Sequence, residues 1–379
     1  MRVLREGNLA ATMRDGTVLR ADAYHPNAPG KYPVLLCRTP YSKDRENHQE
    51  LGHKLAERGY VVVIQDVRGR FASDGEFRPG FFSADHSDSE DGYDTVEWAA
   101  RLPWSAGTVG TFGNSYAGWT QWELAHTRPP HLATMLASGI TANLLDRELS
   151  GALRLGRVLW WTVNTLAPDV RRRIGGENGP TTEEEAERLW LERDRAKWLW
   201  FLPLMEVPDQ VMSGMGHHFR RWLKDHASDH FGFLEKHRQV SVPVLSITGW
   251  YDQQIGTIKQ FTGMVQNGMT EHARHNQHLI IGPWTHTTSG LNSRLGEVDF
   301  GPEACRDYFQ IADFWFGQWL KGQKNEVSDW PPIQLFVMGA NKWRTELEWP
   351  LARTAYTEFF LHAQGLPNRG RAEGVLSRE

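Results

Sequence analysis

Alternating and continuous stretches of apolar residues divide the chain into short elements. Residues 8–13 and 17–24 alternate between polar and apolar positions around Asp15-Gly16, which predicts a β-hairpin. Continuous apolar runs, which are typical of strands buried on both faces of a parallel sheet, follow at intervals. These runs lie at residues 33–37, 60–64, 108–112, 132–138, 242–248 and 278–282.

Helical patterns separate several of these strands. Residues 87–100 begin with carboxylates and become apolar, and residues 116–127 and about 302–320 also have helical character. Strands that alternate with helices predict an α/β fold with a doubly wound sheet.

The alternation stops between residues 142 and 235. Thr182 and Glu185 predict a capping box at the start of one helix there. Another helix is predicted from apolar residues that share one face, namely Leu155, Val158, Leu159, Val163 and Leu166. The segment also holds Trp160, Trp161, Trp190, Trp198, Trp200 and Trp222. We interpret it as a helical cap over the sheet. Residues 198–205 are interpreted as core, the alternative being a wall of the ligand site.

A second change of pattern comes near residue 325. A polar link is followed by two β-only stretches, residues 333–339 and 357–362. Four segments are therefore expected. They are residues 1–141 and 236–325 as the two parts of an α/β core, 142–235 as the cap, and 326–379 as a C-terminal β segment.

Composition excludes several classes of protein. The chain has 379 residues with 42 Lys+Arg and 46 Asp+Glu, and this mild acidity argues against a nucleic-acid partner. Two cysteines exclude a disulfide-dense scaffold. There is no signal-like N-terminus and no apolar run of roughly 18 residues. A cytoplasmic protein without a membrane partner is expected.

A serine lies at the turn between a predicted strand and a predicted helix. The text Gly113-Asn114-Ser115-Tyr116-Ala117-Gly118 follows the strand at 108–112. A nucleophile elbow needs small neighbours because the serine backbone is strained there. The second glycine comes one position later than in the strict motif, but Ala117 in its place is still small. Ser115 is therefore a candidate nucleophile, the alternative being an ordinary glycine-rich turn.

An acid and a histidine follow in the order that α/β-hydrolases use. Asp252 comes directly after the strand at 242–248, and His286 after the strand at 278–282. The carboxyl ends of strands are where open α/β sheets place their sites. Either residue alone is unremarkable in a chain with 16 histidines, but both in this order predict a Ser-Asp-His triad.

Seven stretches in the same order resemble the X-Pro dipeptidyl-peptidase and cocaine-esterase (CocE/NonD) hydrolases. They are MRDGTVLRADAYHP at 13–26, RTPYSKD at 38–44, DVRGRFASDGEF at 66–77, GYDTVEWAARLPW at 92–104, GNSYAG at 113–118, GWYD at 249–252 and GPWTH at 282–286. The resemblance implies Ser115 as nucleophile, His286 as base and Asp252 as its orienter. It also implies an oxyanion hole made by the Tyr41 hydroxyl and the backbone N–H of Tyr116.

The chain departs from that family in two places. The family's C-terminal jelly roll is well over a hundred residues long, whereas about fifty follow residue 330 here, so only its first strands are expected. Phe336, Phe359, Phe360 and Leu361 would then lack a partner sheet, and we expect the tail to promote dimerisation or aggregation. The second departure is Gln254 and Ile255, which stand where related α-amino-acid ester hydrolases have carboxylates that hold the substrate's ammonium group.

Weaker signals are interpreted as structural. The glycines at 107, 110 and 113 do not have dinucleotide-binding spacing, and His272, His275 and His278 match no zinc-enzyme signature. Cys37 suits an inert core thiol. Residues 66–69, with Asp66, Arg68 and Gly69, suit a structural loop beside the site.

The sequence thus predicts a serine hydrolase of small esters or short peptides that works through an acyl-enzyme without metal or cofactor. The enzyme alternatives are an X-Pro dipeptidyl-peptidase and an α-amino-acid ester hydrolase. The alternative outside enzymes is an inactive chain or a binding module.

Overall fold

The computed structural model describes residues 1–80, 85–140, 155–176, 178–224, 233, 235–253, 256–286, 291–363 and 374–379. Its strands are β1 (Val3–Thr12), β2 (Val18–Pro26), β3 (Tyr32–Thr39), β4 (Val61–Asp66), β5 (Ser105–Asn114), β6 (Leu132–Ser138), β7 (Val244–Gly249), β8 (Gln277–Gly282), β9 (Arg294–Leu295), β10 (Val298–Asp299), β11 (Ile333–Val337), β12 (Lys342–Glu346), β13 (Phe360–Ala363) and β14 (Gly374–Ser377).

Its α-helices are α1 (Glu46–Ala56), α2 (Asp88–Ala100), α3 (Tyr116–Ala125), α4 (Leu155–Trp160), α5 (Ala167–Arg173), α6 (Glu183–Leu189), α7 (Arg195–Leu199), α8 (Asp209–Met212), α9 (Gly216–Lys224), α10 (Gly256–Asn267), α11 (Glu271–His275) and α12 (Tyr308–Lys321). Two segments are π-helical, Trp161–Leu166 and Trp190–Asp194. Short 3₁₀ turns occur at Leu204–Glu206, Lys236–Gln239, Pro302–Ala304 and Glu326–Asp329.

A ten-stranded sheet is the largest that the described residues form. Its order is β1-β2-β4-β3-β5-β6-β7-β8-β11-β12. The strands from β4 to β11 in that order run parallel, and the pairs β1–β2, β2–β4 and β11–β12 run antiparallel. The predicted α/β sheet and N-terminal hairpin are confirmed.

Side chains that alternate along the central strands build a core on each face of the sheet. In β3, Val34 and Leu36 belong to one core, whereas Leu35 and Cys37 belong to the other. Helices α2, α3 and α10 cover the first face, and α1 and α12 cover the second. Burial on both faces explains why these strands are continuous apolar runs in the sequence.

The cap packs on the elements that follow β4 and β5. Cap residues Val158, Leu159 and Leu166 are buried in one cluster with Tyr116 and Trp119 of α3. Thr182 caps α6 by accepting a hydrogen bond from the Glu185 N–H at 3.2 Å, as predicted. The Glu185 side chain accepts from the N–H of Thr181 rather than that of Thr182, so only half of the predicted capping box forms.

The C-terminal β segment differs from the expectation. Strand β11 pairs in parallel with β8 and so continues the core sheet across the boundary predicted near 325. Phe336 was expected to lack a partner, but it is buried against Phe300 and Trp343. Phe359, Phe360 and Leu361 are exposed, as expected, in and beside the separate β13–β14 hairpin.

Candidate active site

Ser115 occupies a sharp turn between β5 and α3. Its backbone has φ 61° and ψ −124°, a region that costs a residue with a side chain about 1–3 kcal/mol. The Ser115 N–H donates to the Ser138 carbonyl at 3.0 Å, and the Ser115 carbonyl accepts from Gly118 and Trp119 at 2.9 Å each. These bonds hold the strained residue at the carboxyl end of the central strand.

The small residues around Ser115 are each required by a close contact. A Cβ on Gly113, whose φ is 149°, would lie 2.7 Å from the Ala117 carbonyl oxygen. A Cβ on Gly118 would lie 2.4 Å from Ile140 Cγ2. The glycine that comes one position late in the motif is therefore needed where it stands, because α3 packs there against the end of β6.

Asp252 and His286 meet Ser115 across the carboxyl ends of β7 and β8. His286 Nε2 lies 2.9 Å from Ser115 Oγ, and His286 Nδ1 lies 3.0 and 3.1 Å from the two Asp252 carboxylate oxygens. The Asp252 side chain is 2% exposed and that of His286 is 25% exposed. Because a carboxylate accepts, Nδ1 carries the imidazole proton and Nε2 is left to accept from the serine hydroxyl.

Backbone hydrogen bonds tie together the two loops that carry Asp252 and His286. Tyr251 N–H donates to the Trp284 carbonyl at 3.1 Å, and Trp250 N–H donates to the Gly282 carbonyl at 2.9 Å. The distance between acid and histidine is thus set by the pairing of neighbouring strands.

Gly139 is a site residue that the sequence analysis missed. It follows β6 with φ 52°, and a Cβ there would lie 2.4 Å from Asn114 Oδ1, 3.0 Å from Asp252 Oδ2 and 3.2 Å from His286 Nδ1. A glycine directly after a buried strand was the available signal. The acid–histidine pair needs this position empty.

The structure places Tyr41 beside Ser115 in the wall of one cleft. The Tyr41 hydroxyl accepts a hydrogen bond from Trp161 Nε1 at 3.3 Å. Tyr41 follows β3, the strand next to β5, which explains how a residue 74 positions earlier reaches the serine.

Tyr116 is the first residue of α3, and its side chain is buried. Its hydroxyl donates to Asp88 Oδ2 at 3.1 Å and accepts from the Gly80 N–H at 3.1 Å. Burial raises the pKa of Tyr116 well above its usual value and also raises that of the Asp88 carboxyl. The ring therefore anchors the start of α3.

The loop after β4 supports the Tyr41 segment. Asp66 accepts from the Lys43 N–H at 2.7 Å and from the Ala72 N–H at 3.3 Å, and burial raises the pKa of this carboxyl to about 7. Arg68 pairs with Asp91, while a Cβ on Gly69 would lie 2.0 Å from the Phe77 nitrogen. These contacts agree with the predicted structural role of residues 66–69.

Two cavities meet at Ser115. The larger, about 620 Å³, is lined by Tyr41, Arg45, Asn114, Ser115, Arg157, Trp160, Trp161, Thr165, Gln253 and His286. The smaller, about 270 Å³, shares Tyr41, Asn114 and Ser115 and extends between α1 and the start of α12. Gln254 and Ile255, on which the substrate expectation depends, lie outside the described residues.

The other candidate groups have structural partners or are buried. His278 Nδ1 lies 3.2 Å from the Pro331 carbonyl, and Cys37 is buried, which raises the pKa of its thiol to about 12. Across the described ranges, no group of three or more His, Cys, Asp or Glu side chains could hold a metal ion.

The sheet order, the strained serine turn and the three side chains at the carboxyl ends of β5, β7 and β8 define an α/β-hydrolase fold. A family model described as X-Pro dipeptidyl-peptidase (S15 family) matches residues 15–288. The chain belongs to the X-Pro dipeptidyl-peptidase (S15) family, which confirms the resemblance seen in the sequence.

Three similar proteins match nearly all of this chain and are longer than it. Cocaine esterase of Rhodococcus sp. (strain MB1 Bresler) is 32% identical over 395 residues, which is 98% of this chain and 64% of the relative. An aminopeptidase structure from a marine sediment Thaumarchaeota archaeon has a TM-score of 0.71 at 20% identity and covers 96% of this chain and 62% of that chain. A CocE/NonD family hydrolase from Staphylococcus aureus has a TM-score of 0.64 at 22% identity, over 96% of this chain and 60% of that chain. The chain thus spans just under two thirds of the length of these relatives.

Proposed function

We propose that the protein is a serine hydrolase that cleaves carboxylic esters through an acyl-enzyme. The observation that carries this proposal is the hydrogen-bonded series from Ser115 Oγ through His286 to Asp252, with a 2.9 Å serine–histidine distance. A serine held by a histidine that is itself oriented by a buried carboxylate is the arrangement that activates a hydroxyl nucleophile.

The residues at the site supply each step. Ser115 Oγ attacks the ester carbonyl while His286 Nε2 takes its proton, and the oxyanion accepts from the Tyr41 hydroxyl and the Tyr116 N–H. The tetrahedral intermediate expels the alcohol, which receives the proton from His286. Water, deprotonated by His286, then attacks the acyl-enzyme carbonyl and releases the acid and Ser115.

Uncharged acyl esters are the substrate class that we propose. Among the described residues that line the larger cavity there is no carboxylate, and the cations are the guanidinium groups of Arg45 and Arg157. The smaller cavity holds one carboxylate, Glu50, together with Lys54. Gln254 and Ile255 also offer no charge partner for an ammonium group. Simple acyl esters should therefore be hydrolysed at least as well as alanyl or phenylglycyl esters.

A fluorophosphonate probe and a nitrophenyl ester test the proposal together. We expect the protein to label and to turn over the ester, and Ser115→Ala to abolish both with the circular dichroism spectrum unchanged. Ser105→Ala is a matched control because that serine begins β5 at the opposite end of the strand. Absence of labelling would favour an inactive chain or a binding module.

A peptidase activity is the second candidate. The description of the family names an X-Pro dipeptidyl-peptidase. The solved structure with the TM-score of 0.71 is that of an aminopeptidase. An X-Pro nitroanilide separates the candidates, since an esterase should leave this amide intact. A kcat/KM for the anilide above that for simple esters would make the chain a dipeptidyl-peptidase, and a clear preference for α-amino esters would make it an α-amino-acid ester hydrolase.

A small ester or short peptide remains the proposed partner. The described part of the chain contains no helix with both the length and the apolar character needed to cross a membrane.

A further inference from the structure

Trp161 of the cap contacts both residues of the proposed oxyanion hole. Its indole Nε1 donates to the Tyr41 hydroxyl at 3.3 Å. Its ring stacks on that of Tyr116, with centroids 6.3 Å apart and planes inclined by 30°. Trp161 is also the first residue of the π-helical segment Trp161–Leu166, and such turns occur frequently at functional sites.

The direction of the hydrogen bond from Trp161 matters for catalysis. An indole N–H only donates, so the Tyr41 oxygen accepts and keeps its own proton for another acceptor. A hydroxyl that accepts one hydrogen bond also becomes a stronger donor in the next. The bond from Trp161 thus leaves the O–H of Tyr41 as the donor in a further hydrogen bond, which is the role an oxyanion donor has.

Other contacts hold Tyr41 from the side of its own loop. The Tyr41 N–H donates to Thr39 Oγ1 at 3.1 Å, and the Arg45 guanidinium lies 5.3 Å from the centre of the Tyr41 ring. Arg45 also pairs with Glu183 in the first turn of α6. The cap therefore reaches the tyrosine through two independent contacts.

A buried arginine joins the tyrosine segment to the π-helical segment. Arg70 Nε donates to the Pro40 carbonyl at 2.9 Å, and its two terminal nitrogens donate to the Leu166 carbonyl at 2.6 Å and the Thr165 carbonyl at 3.2 Å. Full burial lowers the pKa of Arg70 to about 10. One side chain thus fixes both the residue before Tyr41 and the end of the segment that carries Trp161.

We propose that Trp161 is a positioning residue that orients the Tyr41 hydroxyl as an oxyanion donor. Arg70 holds the Tyr41 loop and the π-helical segment Trp161–Leu166 in fixed relative positions. This inference rests on the proposed esterase function. Because Trp161 acts through Tyr41, the contribution of Trp161 to kcat must vanish when the Tyr41 hydroxyl is removed.

A double-mutant cycle on nitrophenyl ester hydrolysis tests this dependence. Trp161→Phe keeps a ring beside Tyr116 but removes the donor, and we expect kcat to fall by about three- to tenfold with KM changed less than about twofold. In the Tyr41→Phe background, the same substitution should change kcat by less than about twofold. Trp161→His places a ring N–H near the same point, so it should recover part of the lost kcat.

The control is Trp198→Phe, which removes a different cap tryptophan that is buried and does not line the cleft. It should leave the kcat of both backgrounds unchanged. An equal loss of kcat from Trp161→Phe in both backgrounds, or no loss in either, would overturn the role of Trp161. Labelling of the wild-type protein by the fluorophosphonate would still support the esterase proposal in that case. A wild-type protein that neither labels nor hydrolyses the ester would overturn both proposals.

Discussion

At the scale of single residues, the site depends on a few atoms whose positions are tightly limited. Ser115, Asp252 and His286 were predictable because strand ends and chain order are visible in the sequence. Gly139 was not, because the need for an empty Cβ position appears only when β6, β7 and β8 lie side by side. Trp161 and Arg70 were missed in the same way, since their partners lie 120 and about 96 residues away.

Asp252→Asn should abolish most activity. An amide in place of the carboxylate favours the wrong imidazole tautomer, so kcat should fall by about 10⁴-fold while substrate still binds. Steady-state kinetics of a nitrophenyl ester measure this loss. Asp313→Asn, on the half-exposed surface of α12, serves as the matched control and should keep full activity. A D252N variant within tenfold of wild type would contradict the assigned role.

Tyr41→Phe should lower kcat by about 10²-fold with a modest change in KM. The hydroxyl is expected to act on the oxyanion of the transition state rather than on the bound ester, so the loss belongs in kcat. Tyr32→Phe is the control, because that hydroxyl lies far from Ser115, 3.4 Å from the Ala28 carbonyl. A kcat equal to that of wild type would remove Tyr41 from the oxyanion hole.

At the scale of elements, strands with continuous apolar runs were predicted well. The prediction of residues 198–205 as core was wrong, because Trp200 and Leu202 are 85% and 78% exposed. Helix α1 was not predicted. Residues 132–138 were predicted as a strand and form β6 (Leu132–Ser138). Helix α1 has no such signal, because histidine and glycine occupy buried positions in it at His48 and Gly52. A Cβ on Gly52 would lie 2.5 Å from the Tyr24 ring, so this helix position is fixed by tertiary packing rather than by helix propensity.

The two cysteines should differ sharply in reactivity because of the elements that hold them. Cys37 is buried within β3 with a pKa raised to about 12, whereas Cys305 is exposed after a 3₁₀ turn. An aromatic disulfide reagent should therefore modify one thiol in the native protein and two in denaturant. Cys305→Ser should abolish the native reaction and Cys37→Ser should preserve it. Rapid native modification of C305S would show that β3 opens.

At the scale of the whole molecule, the pairing of β11 with β8 could not be predicted from the local pattern. The apolar residues of β11 resemble those of any buried strand. Only its hydrogen bonds to β8, about fifty residues earlier in the chain, assign β11 to the core sheet. The division of the chain into four segments remains a prediction, but Phe336 is buried in one small cluster with Phe300 and Ala304 of the segment 236–325.

The β13–β14 hairpin should mediate association between copies of the protein. Leu361 and Leu376 pair across it with exposures of 86% and 62%, and both hairpin strands have a free edge among the described residues. Such strands invite pairing between chains. Light scattering should show concentration-dependent association, which Leu361→Lys with Leu376→Lys should reverse. A wild-type protein that stays monomeric at all concentrations would contradict this expectation.

The addition of β11 to the sheet also affects His286, the proposed catalytic histidine. Strand β8, which ends four residues before His286, is bonded to β7 on one side and to β11 on the other. Ending the chain before Ile333 would leave β8 at the margin of the sheet, with one row of its N–H and C=O groups open to solvent. His286, the proposed proton acceptor, would then follow a strand with a frayed edge. We expect activity to be lost before the fold is lost.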